Sequence, residues 1–433
     1  MDFKNYLVPG KTGLLIGIGG VSMSPLAEVL HDAGLDIRGS DMAESSNTLA
    51  LRERGIPIHI GHSADNVTDD ISFVIRTAAV HDDNPEVHEA HRRGIPVFER
   101  TQAWGALMRG YQNALCISGT HGKTTTTSMC THIMMAAEKD PTVMIGGTLP
   151  LLKACHRVGK GNTIIMESCE YYNSFLALNP TIAVVLNIEA DHLDFFKDLE
   201  DIKRSFRCFA ERVPAETGTV IANYDDANTM DALRGIERKV ITFGLNAKAD
   251  VYAQNIVHRG SVSEFDIYHR GNYFARVTLH VPGIHNVRNA LAATAAAIVL
   301  GVSPNAVKYG LAGFEGAGRR FDYKGKFQGA DLYDDYAHHP SELRALLDAV
   351  DTLNYQRSIV VFQPHTYSRT AKLFNDFVEQ LRRPTIVYLA EIYAAREKNT
   401  IGISSADLAA QIPGAKFYPA FAEIERELRR IAR

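Results

Sequence analysis

The sequence has little of what marks several specialised classes of protein. Its 433 residues include only 5 cysteines, an odd number without a C-x-x-C pair, so we expect reduced thiols and neither a disulfide framework nor a zinc site. The longest nearly apolar run, residues 290–302, is shorter than the roughly 20 residues that cross a bilayer. The first residues contain no apolar signal core. These absences predict a cytoplasmic protein without a membrane partner.

Neither sign of charge is in large excess. The chain has 46 Lys and Arg against 50 Asp and Glu, for a formal net charge of −4. This balance gives no reason to expect nucleic acid as a partner, although it is compatible with a local basic pocket. With 45% hydrophobic and 22% charged residues, the composition is globular and excludes a disordered, collagenous or coiled-coil chain. At roughly 150 residues per domain, the length predicts about three domains.

Short apolar runs alternate with helix-length segments in three series along the chain. Strands separated by helices indicate βαβ units around a mostly parallel sheet. The predicted strands are residues 14–18, 36–38, 56–60 and 73–77 in the first series, 114–118, 163–166, 182–187 and 220–223 in the second, and 331–333, 358–362 and 385–389 in the third.

Between the second and third series the pattern changes. Residues 251–257, 263–269 and 273–281 alternate in polarity between glycine-containing turns, which predicts an antiparallel meander. The whole chain is therefore predicted to be an α/β protein. We expect its domains at residues 1–107, 108–316 and 317–433.

The strongest chemical signal is the turn SGTHGKTT at residues 118–125, between a predicted strand and a predicted helix. A turn in this position directs backbone N–H groups at a phosphate, and the dipole of the following helix adds to the attraction. Lys123 would pair with the outer phosphates, and a threonine hydroxyl would bind Mg²⁺. Ile117 replaces the first glycine of a full Walker A sequence, so this is a shortened form. We expect ATP to contact Gly119, Thr120, His121, Gly122, Lys123, Thr124 and Thr125.

Two further polar residues follow the next strands of this series. Glu167 comes directly after one predicted strand, and His192 comes shortly after the next. Ligands gather at the carboxyl ends of the strands in an open parallel sheet, so both side chains should converge on the phosphate loop and suit Mg²⁺. Taken alone, each is also compatible with a surface acid or a helix cap. Acids in a first helical turn commonly only offset the helix dipole, so the weaker candidates are Glu170, Glu189 and Asp191.

A second glycine turn, GIGGVS at residues 17–22, follows the first predicted strand. It is similar to a dinucleotide fingerprint, but Ser22 stands where that fingerprint has its third glycine, which weakens a prediction of NAD. The dipole of the following helix still favours a bound diphosphate. For this motif alone, a tight turn without a ligand is an equal alternative.

Taken together, these motifs and several later ones resemble the Mur ligases, and they occur in the order of that family over nearly the whole chain. The matching segments are GIGGVSMS at 17–24, GTHGKTTT at 119–126, NIEADHLD at 187–194, GIHNVRNA at 283–290, RRF at 319–321, DDYAHHP at 334–340 and QPHTYSR at 363–369. The resemblance implies a Rossmann-like UDP-binding domain, a central P-loop ATPase domain and a C-terminal Rossmann-like domain that closes over ATP and amino acid. His121 and the DDYAHHP run point to the first ligase of the pathway.

The resemblance also implies a reaction of peptidoglycan precursor synthesis. ATP would phosphorylate the lactoyl carboxylate of UDP-N-acetylmuramate, and the amine of L-alanine would attack the acyl phosphate, through a tetrahedral intermediate, to give an amide and phosphate. Phosphorylation removes the charge that repels a nucleophile, and Lys123 with Mg²⁺ would bring the two anions together. We expect a monomer or homodimer in which the domains close by a hinge.

Motif by motif, the resemblance implies roles around the nucleotide. Thr124 and Glu167 would hold one Mg²⁺, while Glu167 and His192 would hold a second. An amide can both donate to and accept from the edge of adenine. The adenine would be read by Asn286 and Asn289, and the phosphates and ribose would be reached by Arg320 and Asp335.

The resemblance places the other two substrates as well. Tyr336, His338 and Arg369 would surround L-alanine, with Arg369 gripping its carboxylate through charge-assisted hydrogen bonds. The predicted catalytic residues are Lys123, Glu167, His192 and His338. The candidates for the UDP part are Gly19, Gly20, Ser22, Asp41 and His62.

Three departures from the family pattern bear on these roles. Cys169 and Tyr172 replace acids, so we expect no ligand role from them, while Glu167 is retained. Thr366 stands where an arginine usually follows Gln-Pro-His, so the alanine carboxylate would depend on Arg369, or the specificity would differ. The sequence ends at Arg433, where relatives continue into another strand, so we expect either a truncated sequence or a third sheet that is one strand short.

Three alternative functions stay open at this point. Thr366 is compatible with a related ligase that joins a tripeptide, as in murein recycling, or a different amino acid. A nicotinamide-dependent oxidoreductase built on the first glycine turn would leave the phosphate loop without a role. A non-catalytic nucleotide-binding protein becomes the better interpretation only if turnover is absent.

Overall fold

The computed structural model describes residues 2–77, 79–395 and 397–431. Its strands form a five-stranded, a ten-stranded and a three-stranded sheet, with a separate hairpin. None of the helices within these described ranges is long and apolar enough to cross a membrane. The α/β prediction is confirmed, while the predicted domain boundaries at 107/108 and 316/317 stay predictions.

The first region is built on the five-stranded sheet, in which every pair of neighbours is parallel. The strand order β3-β2-β1-β4-β5 reverses between β1 and β4, as in a Rossmann half, and ligands of such sheets bind at that crevice. The first glycine turn directly follows β1. The elements are β1 (Thr12–Ile16), α1 (Ser24–Asp32), β2 (Asp36–Asp41), α2 (Ser46–Glu53), β3 (Ile58–Ile60), β4 (Ile71–Arg76), α3 (Pro85–Arg92), β5 (Val97–Glu99) and α4 (Arg100–Met108).

The central region contains the ten-stranded sheet, in the order β15-β14-β13-β12-β11-β10-β6-β9-β7-β8. The predicted meander is confirmed, and it continues the parallel sheet because β12 pairs in parallel with β13. The elements are β6 (Asn113–Ser118), α5 (Lys123–Ala136), β7 (Thr142–Leu149), β8 (Ala154–Arg157), β9 (Thr163–Glu167), β10 (Ile182–Val185), α6 (Leu199–Ala210), β11 (Thr219–Asn223), α7 (Ala227–Ala232), β12 (Lys239–Gly244), β13 (Val251–Arg259), β14 (Val262–His269), β15 (Asn272–Leu279), α8 (Ile284–Val299) and α9 (Pro304–Ala312).

The helix after the phosphate loop, α5, is buried between the sheet and helices α8 and α9. Its first turns are rich in threonine, a residue that is rarely buried without a hydrogen-bond partner. The hydroxyls of Thr127 and Thr131 donate to the carbonyl oxygens four residues earlier, at 2.8 Å in both cases. These two hydroxyls are thereby satisfied inside the helix, which lets α5 pack deeply, whereas the buried hydroxyl of Thr126 has no hydrogen-bond partner.

The third region begins with an antiparallel hairpin and continues with a parallel sheet in the order β18-β19-β20. The prediction that residues 331–333 belong to the third parallel series is wrong, because β17 pairs with β16 in the hairpin. Gln328 and Gly329 both have positive φ, which is typical of the tight turn that joins two such strands. The elements are β16 (Asp322–Phe327), β17 (Ala330–Asp334), α10 (Pro340–Thr352), β18 (Ile359–Phe362), α11 (Tyr367–Lys372), α12 (Phe374–Leu381), β19 (Ile386–Leu389), α13 (Ser405–Ala410), β20 (Lys416–Phe417) and α14 (Phe421–Ile431). Ala432 and Arg433, named in the prediction about the chain end, lie outside the described residues.

The first and central regions touch where α4 meets the 3₁₀ segment Tyr171–Ala177. A Cβ added at Gly105 would lie 2.0 Å from the carbonyl oxygen of Ala177. The amide of Asn179 also donates to the carbonyl oxygen of Gly105, at 2.8 Å. Because the obstructing atom belongs to the backbone, a side-chain rotation cannot relieve the contact.

Replacing Gly105 by alanine is therefore expected to destabilise the protein, although alanine favours a helix. Overpacking of this kind costs about 1–3 kcal/mol, which should appear as a lower midpoint of urea unfolding. Gly313→Ala is the control, since a Cβ there has its nearest contact at an ordinary 3.4 Å. Equal midpoints for the two variants would contradict the close approach of α4 to the central region.

Candidate active site

The phosphate loop joins β6 to the N-terminus of the 14-residue helix α5. Gly122 is the N-cap residue of α5, and its φ of 84° lets the chain turn from the loop into the helix. Asn187 anchors the other side of the loop: its carbonyl oxygen accepts from the Thr120 N–H at 3.0 Å, and its Oδ1 accepts from the His121 N–H at 2.8 Å. The loop therefore has a fixed shape next to a helix N-terminus, the place where a phosphate is stabilised.

Lys123 folds back across this loop. Its Nζ donates to the carbonyl oxygens of Gly119 at 2.5 Å and Thr120 at 3.1 Å, and it pairs with Glu170 Oε2 at 3.0 Å. Burial acts to lower the pKa of Lys123, but the Glu170 carboxylate outweighs it and raises the pKa above its ordinary value. Lys123 is therefore a permanent cation at the loop. Glu170 was only a weak candidate from sequence, because its contact with Lys123 depends on the fold.

Of the three residues predicted to bind Mg²⁺, Thr124 and Glu167 contact each other, and His192 packs elsewhere. The Thr124 hydroxyl donates to Glu167 Oε1 at 2.9 Å, and the N–H of Gly146 donates to Glu167 Oε2 at 2.6 Å. A hydroxyl and a carboxylate next to a phosphate loop are hard oxygen donors, and this set fits Mg²⁺. His192 lies instead against Tyr171, with their rings stacked at 4.3 Å. Its role as a second ligand stays a prediction.

Cys169 and Tyr172, which replace acids of the family pattern, flank the segment whose Tyr171 stacks on His192. Cys169 is exposed, and Tyr172 is 63% exposed with a positive φ of 52°. The ring of Tyr172 packs against Phe195 at 4.8 Å and against Tyr171 at 4.4 Å. Tyr172 is therefore part of an aromatic surface, and the expectation that neither position ligates a metal stays a prediction.

A cavity of about 390 Å³ opens beside the loop, between the central and third regions. The amide of Asn286 donates to the carbonyl oxygen of Pro282 at 2.7 Å, and the amide of Asn289 donates to Asn286 Oδ1 at 3.2 Å. Of the eleven residues predicted to contact ATP, eight line this cavity: His121, Gly122, Thr124, Thr125, Asn286, Asn289, Arg320 and Asp335. Sequence reasoning missed the apolar walls, which are Phe243, Val281, Pro282 and Phe314.

The third region contributes Arg320 and Asp335 to the wall of the cavity. Asp335 accepts the backbone N–H groups of Phe321 and Ala337, both at 2.7 Å, and burial raises its pKa. The guanidinium of Arg320 lies 5.4 Å from the ring centroid of Tyr336, within the range of a cation–π contact. Asp335 thus fixes the start of the hairpin, while Arg320 places a cation at the cavity wall.

His121 links the phosphate loop to α10 of the third region. Its Nδ1 lies 3.3 Å from Glu342 Oε1, its Nε2 lies 3.3 Å from Glu189 Oε2, and the Ser341 hydroxyl lies 2.9 Å from Nε2. Burial opposes protonation, but the Glu189 and Glu342 carboxylates outweigh it and raise the pKa of His121 to about 9. We call these four residues, together with His339, the inter-region cluster. Nothing in the local sequence around position 342 identified Glu342 as a partner of the loop.

The residues predicted to surround L-alanine lie next to one another. The rings of Tyr336 and His338 are 5.1 Å apart, His338 and His365 are 5.7 Å apart, and Arg369 Nη1 lies 3.1 Å from His365 Nδ1. Arg369 also pairs with Asp191 of the central region, 2.9 Å away.

The Arg369–Asp191 pair is largely buried, with side chains only 11% and 10% exposed. Burial raises the pKa of Asp191, but Arg369 more than offsets this and holds it well below the ordinary value. Thr366, where the family pattern has arginine, is the residue directly before α11 and has φ at 66°, an uncommon conformation for a β-branched residue. The binding of a carboxylate here would rest on Arg369.

In the first region, a hydrogen bond to Asp41 at the end of β2 stabilises the glycine turn. Asp41 accepts the N–H of Gly19 at 2.8 Å. His62 lies 2.8 Å from the fully buried Glu86, so the structure gives it a local partner. Gly20 belongs to the same turn, and the UDP roles of all these residues stay predictions.

Arg100 is a cation that sequence reasoning missed. It begins α4 and donates to the hydroxyl of Ser22, at the end of the glycine turn. Burial lowers its pKa, which means that its surroundings do little to offset its charge. A buried guanidinium beside a glycine turn and a helix N-terminus suits a diphosphate. Its position directly after β5 is the signal that could have pointed to it.

Comparison with known proteins gives a consistent result. The family models described as "Mur ligase family, catalytic domain", "Mur ligase middle domain" and "Mur ligase, glutamate ligase domain" match residues 15–112, 117–297 and 319–433. The UDP-N-acetylmuramate–L-alanine ligase of Agathobacter rectalis is 46% identical over 418 residues, covering 95% of this chain and 91% of that protein.

Solved structures of ligases also match this chain. The crystal structure of the UDP-N-acetylmuramate-alanine ligase of Thermotoga maritima matches with a TM-score of 0.77 at 29% identity, covering 96% of this chain and 92% of that one. A murein peptide ligase of Psychrobacter arcticus matches with a TM-score of 0.72 at 22% identity, covering 97% and 93%. At that identity the second match shows a shared fold alone.

The inter-region cluster yields a prediction for pH dependence. Because the folded-state pKa of His121 is raised from about 6.5 to about 9, its contribution to stability is complete below pH 6.5 and is lost as the pH rises towards 9. In metal-free buffer, an NMR titration of the imidazole should show this raised pKa. Glu342→Gln keeps the shape of the side chain and removes its charge, so it should bring the pKa down. A wild-type pKa near 6.5 would contradict the geometry of the cluster.

Proposed function

The chain belongs to the Mur ligase family, and on that premise we propose that it is an ATP-dependent ligase that joins L-alanine to the lactoyl carboxylate of UDP-N-acetylmuramate. One observation carries the proposal: the phosphate loop, the paired asparagines of α8 and the arginine and aspartate of the third region line a single cavity. The identity of 46% to a ligase of that specificity, over 95% of the chain, supports the choice of substrates. The product would be a precursor of peptidoglycan.

The nucleotide occupies the inter-region cavity in this proposal. Its adenine lies between the apolar walls, where the amides of Asn286 and Asn289 are held in fixed orientations. Its phosphates extend to the loop, where Lys123 carries a permanent charge. That charge stabilises the negative charge that spreads over the transferring phosphoryl group.

We propose Mg²⁺ as the metal at Thr124 and Glu167. When bound, it supplies positive charge at the phosphate oxygens and so reduces the repulsion between the phosphoryl group and the acid. The chain itself prepares the position: the N–H of Gly146 and the hydroxyl of Thr124 fix both oxygens of the Glu167 carboxylate.

L-alanine binds on the side of the third region. Arg369 holds its carboxylate through charge-assisted hydrogen bonds, while Asp191 and His365 keep the guanidinium in place. Burial lowers the pKa of His338, so a neutral imidazole lies next to Tyr336 in the same pocket. A neutral imidazole can accept a proton from the attacking ammonium group, which must lose one before its nitrogen becomes a nucleophile.

The UDP group binds on the first region, where Arg100 and the glycine turn face the diphosphate. This places the muramyl acid between the first region and the phosphate loop. The three regions then each hold one reactant, so that orientation of the reactants supplies much of the rate.

The proposal is tested by measuring phosphate release with UDP-N-acetylmuramate present and different amino donors. We expect L-alanine to support the fastest release, and a murein tripeptide or other single amino acids to support much less. The reference is the same mixture without a donor. If the tripeptide is used far better than L-alanine, the substrate assignment fails in favour of a recycling ligase.

Replacing Lys123 by alanine tests the role of the loop. Loss of one electrostatic stabiliser of a transition state lowers kcat by about 10²- to 10³-fold, and we expect a fall of that size. Lys248→Ala, at an exposed lysine of the central region, should leave kcat unchanged.

Removal of Lys123 also leaves the buried Glu170 unpaired, which itself destabilises the fold. The double variant Lys123→Ala/Glu170→Gln removes this second effect. We expect it to have a near-normal thermal midpoint and to remain as inactive as the single variant. Recovery of turnover in the double variant would show that Lys123 serves only to neutralise Glu170.

A further inference from the structure

Three side chains of the inter-region cluster, two of which line the nucleotide cavity, lie close enough together to hold one metal ion. One potential ligand atom from each of His121, Glu189 and His339 lies within 4.8 Å of the other two. Within residues 2–77, 79–395 and 397–431, this is the only group of three or more His, Cys, Asp and Glu side chains with such spacing. We propose that these three residues bind a divalent transition metal, separately from Mg²⁺ at Thr124 and Glu167, and thereby tie the phosphate loop to the third region.

The first support is the incomplete hydrogen bonding of His339. This residue is only 6% exposed, and its Nε2 has no hydrogen-bond partner. Its Nδ1 lies 2.7 Å from the hydroxyl of Ser341. A buried polar atom without a partner is costly. Ligation of a metal through Nε2 would satisfy that atom. Nδ1 would then carry the proton and donate to the Ser341 hydroxyl, giving up the 3.3 Å contact in which it now accepts the backbone N–H of Ser341.

The second support is the way His121 is oriented. A histidine that binds a metal through one nitrogen usually donates its other N–H to a carboxylate, which fixes the tautomer. Here Nδ1 faces Glu342 Oε1, while Nε2 faces Glu189 and Ser341. Nε2 is therefore the ligand atom, and Glu342 is the carboxylate behind it.

The third support is charge. Glu189 and Glu342 bring two negative charges to the site, and both imidazoles must be neutral to ligate a metal. A divalent cation balances that charge. A metal would take the place of the proton that His121 shares with the two carboxylates, each of which lies 3.3 Å from a ring nitrogen.

The donor set decides the class of metal. Two imidazole nitrogens and one carboxylate oxygen suit Zn²⁺, Co²⁺ or Ni²⁺, whereas Mg²⁺ prefers an all-oxygen set. Metal–ligand distances of about 2.0 Å put ligand atoms about 3.3 Å apart in a tetrahedral site. Binding would therefore contract the cluster and draw the N-terminus of α10 towards the loop.

The site does not depend on the ligase reaction, so it is tested without substrates. Protein freed of metal with a chelator is titrated with Co²⁺ in the presence of millimolar Mg²⁺, which occupies the Thr124 position. We expect one equivalent of Co²⁺ with the visible absorption of a four-coordinate site, and its displacement by Zn²⁺. Zn²⁺ should also raise the thermal midpoint.

Two variants remove a ligand while preserving the local structure. His339→Asn keeps a residue that can cap α10, and Glu189→Gln keeps the shape of the side chain. Each should weaken Co²⁺ binding by at least 10-fold and abolish the Zn²⁺-dependent rise in midpoint. Glu342→Gln, behind the ligand, should weaken binding by about 10- to 100-fold. The control is His258→Asn, which alters a histidine of β13 whose partner is Ser263.

The outcomes separate clearly. The proposal is overturned if the wild type does not bind Co²⁺, or if Mg²⁺ abolishes Co²⁺ binding. It is also overturned if both ligand variants bind Co²⁺ as tightly as the wild type. If His339→Asn fails to fold, Glu189→Gln alone decides.

Discussion

The contact between His121 and Glu342 is the constraint on which the rest of the site depends. It joins the phosphate loop of the central region to α10 of the third region, with 3.3 Å between Nδ1 and Oε1. Glu342 also accepts the backbone N–H groups of His338 and His339, so the same carboxylate orders the segment that carries the proposed base. The nucleotide cavity exists only because the two regions meet in this way, since its lining comes from both of them. A change at this contact alters the cavity, the base and the loop together.

The cations proposed to bind substrates share one property: each is paired with a carboxylate of the chain. Lys123 is paired with Glu170, and Arg369 is paired with Asp191. A buried charge left without a partner costs roughly 3–5 kcal/mol. The pairing therefore stabilises the fold when no anionic ligand is bound. A phosphate or carboxylate that binds here must share or displace the carboxylate already present. Arg100 is the exception, since a serine hydroxyl is its partner and burial lowers its pKa.

Much of the fold follows from local signals, whereas the partners of the site residues do not. The loop at 118–125 and the meander were predictable because turn residues and alternation act over a few positions. The contact between Thr124 and Glu167 was predictable because Glu167 ends β9 and Thr124 lies at the start of the helix that follows β6, the parallel neighbour of β9. Glu170, Glu342 and the apolar wall at Phe243 were not predictable, because their roles arise from packing between segments far apart in the chain. Sequence reasoning placed β17 in the third parallel series because helices and strands alternate around it. The two-residue turn at Gln328 and Gly329 instead pairs β17 with β16 in a hairpin.

The central claim is that ATP activates an acid at the Lys123 loop by giving it the terminal phosphoryl group. The most direct test uses UDP-N-acetylmuramate whose lactoyl carboxylate carries ¹⁸O, incubated with ATP and L-alanine. Attack of the amine on an acyl phosphate expels phosphate with one oxygen of the former carboxylate. The account therefore predicts one ¹⁸O atom in the released inorganic phosphate for each amide formed. Amide formation with unlabelled phosphate would contradict it.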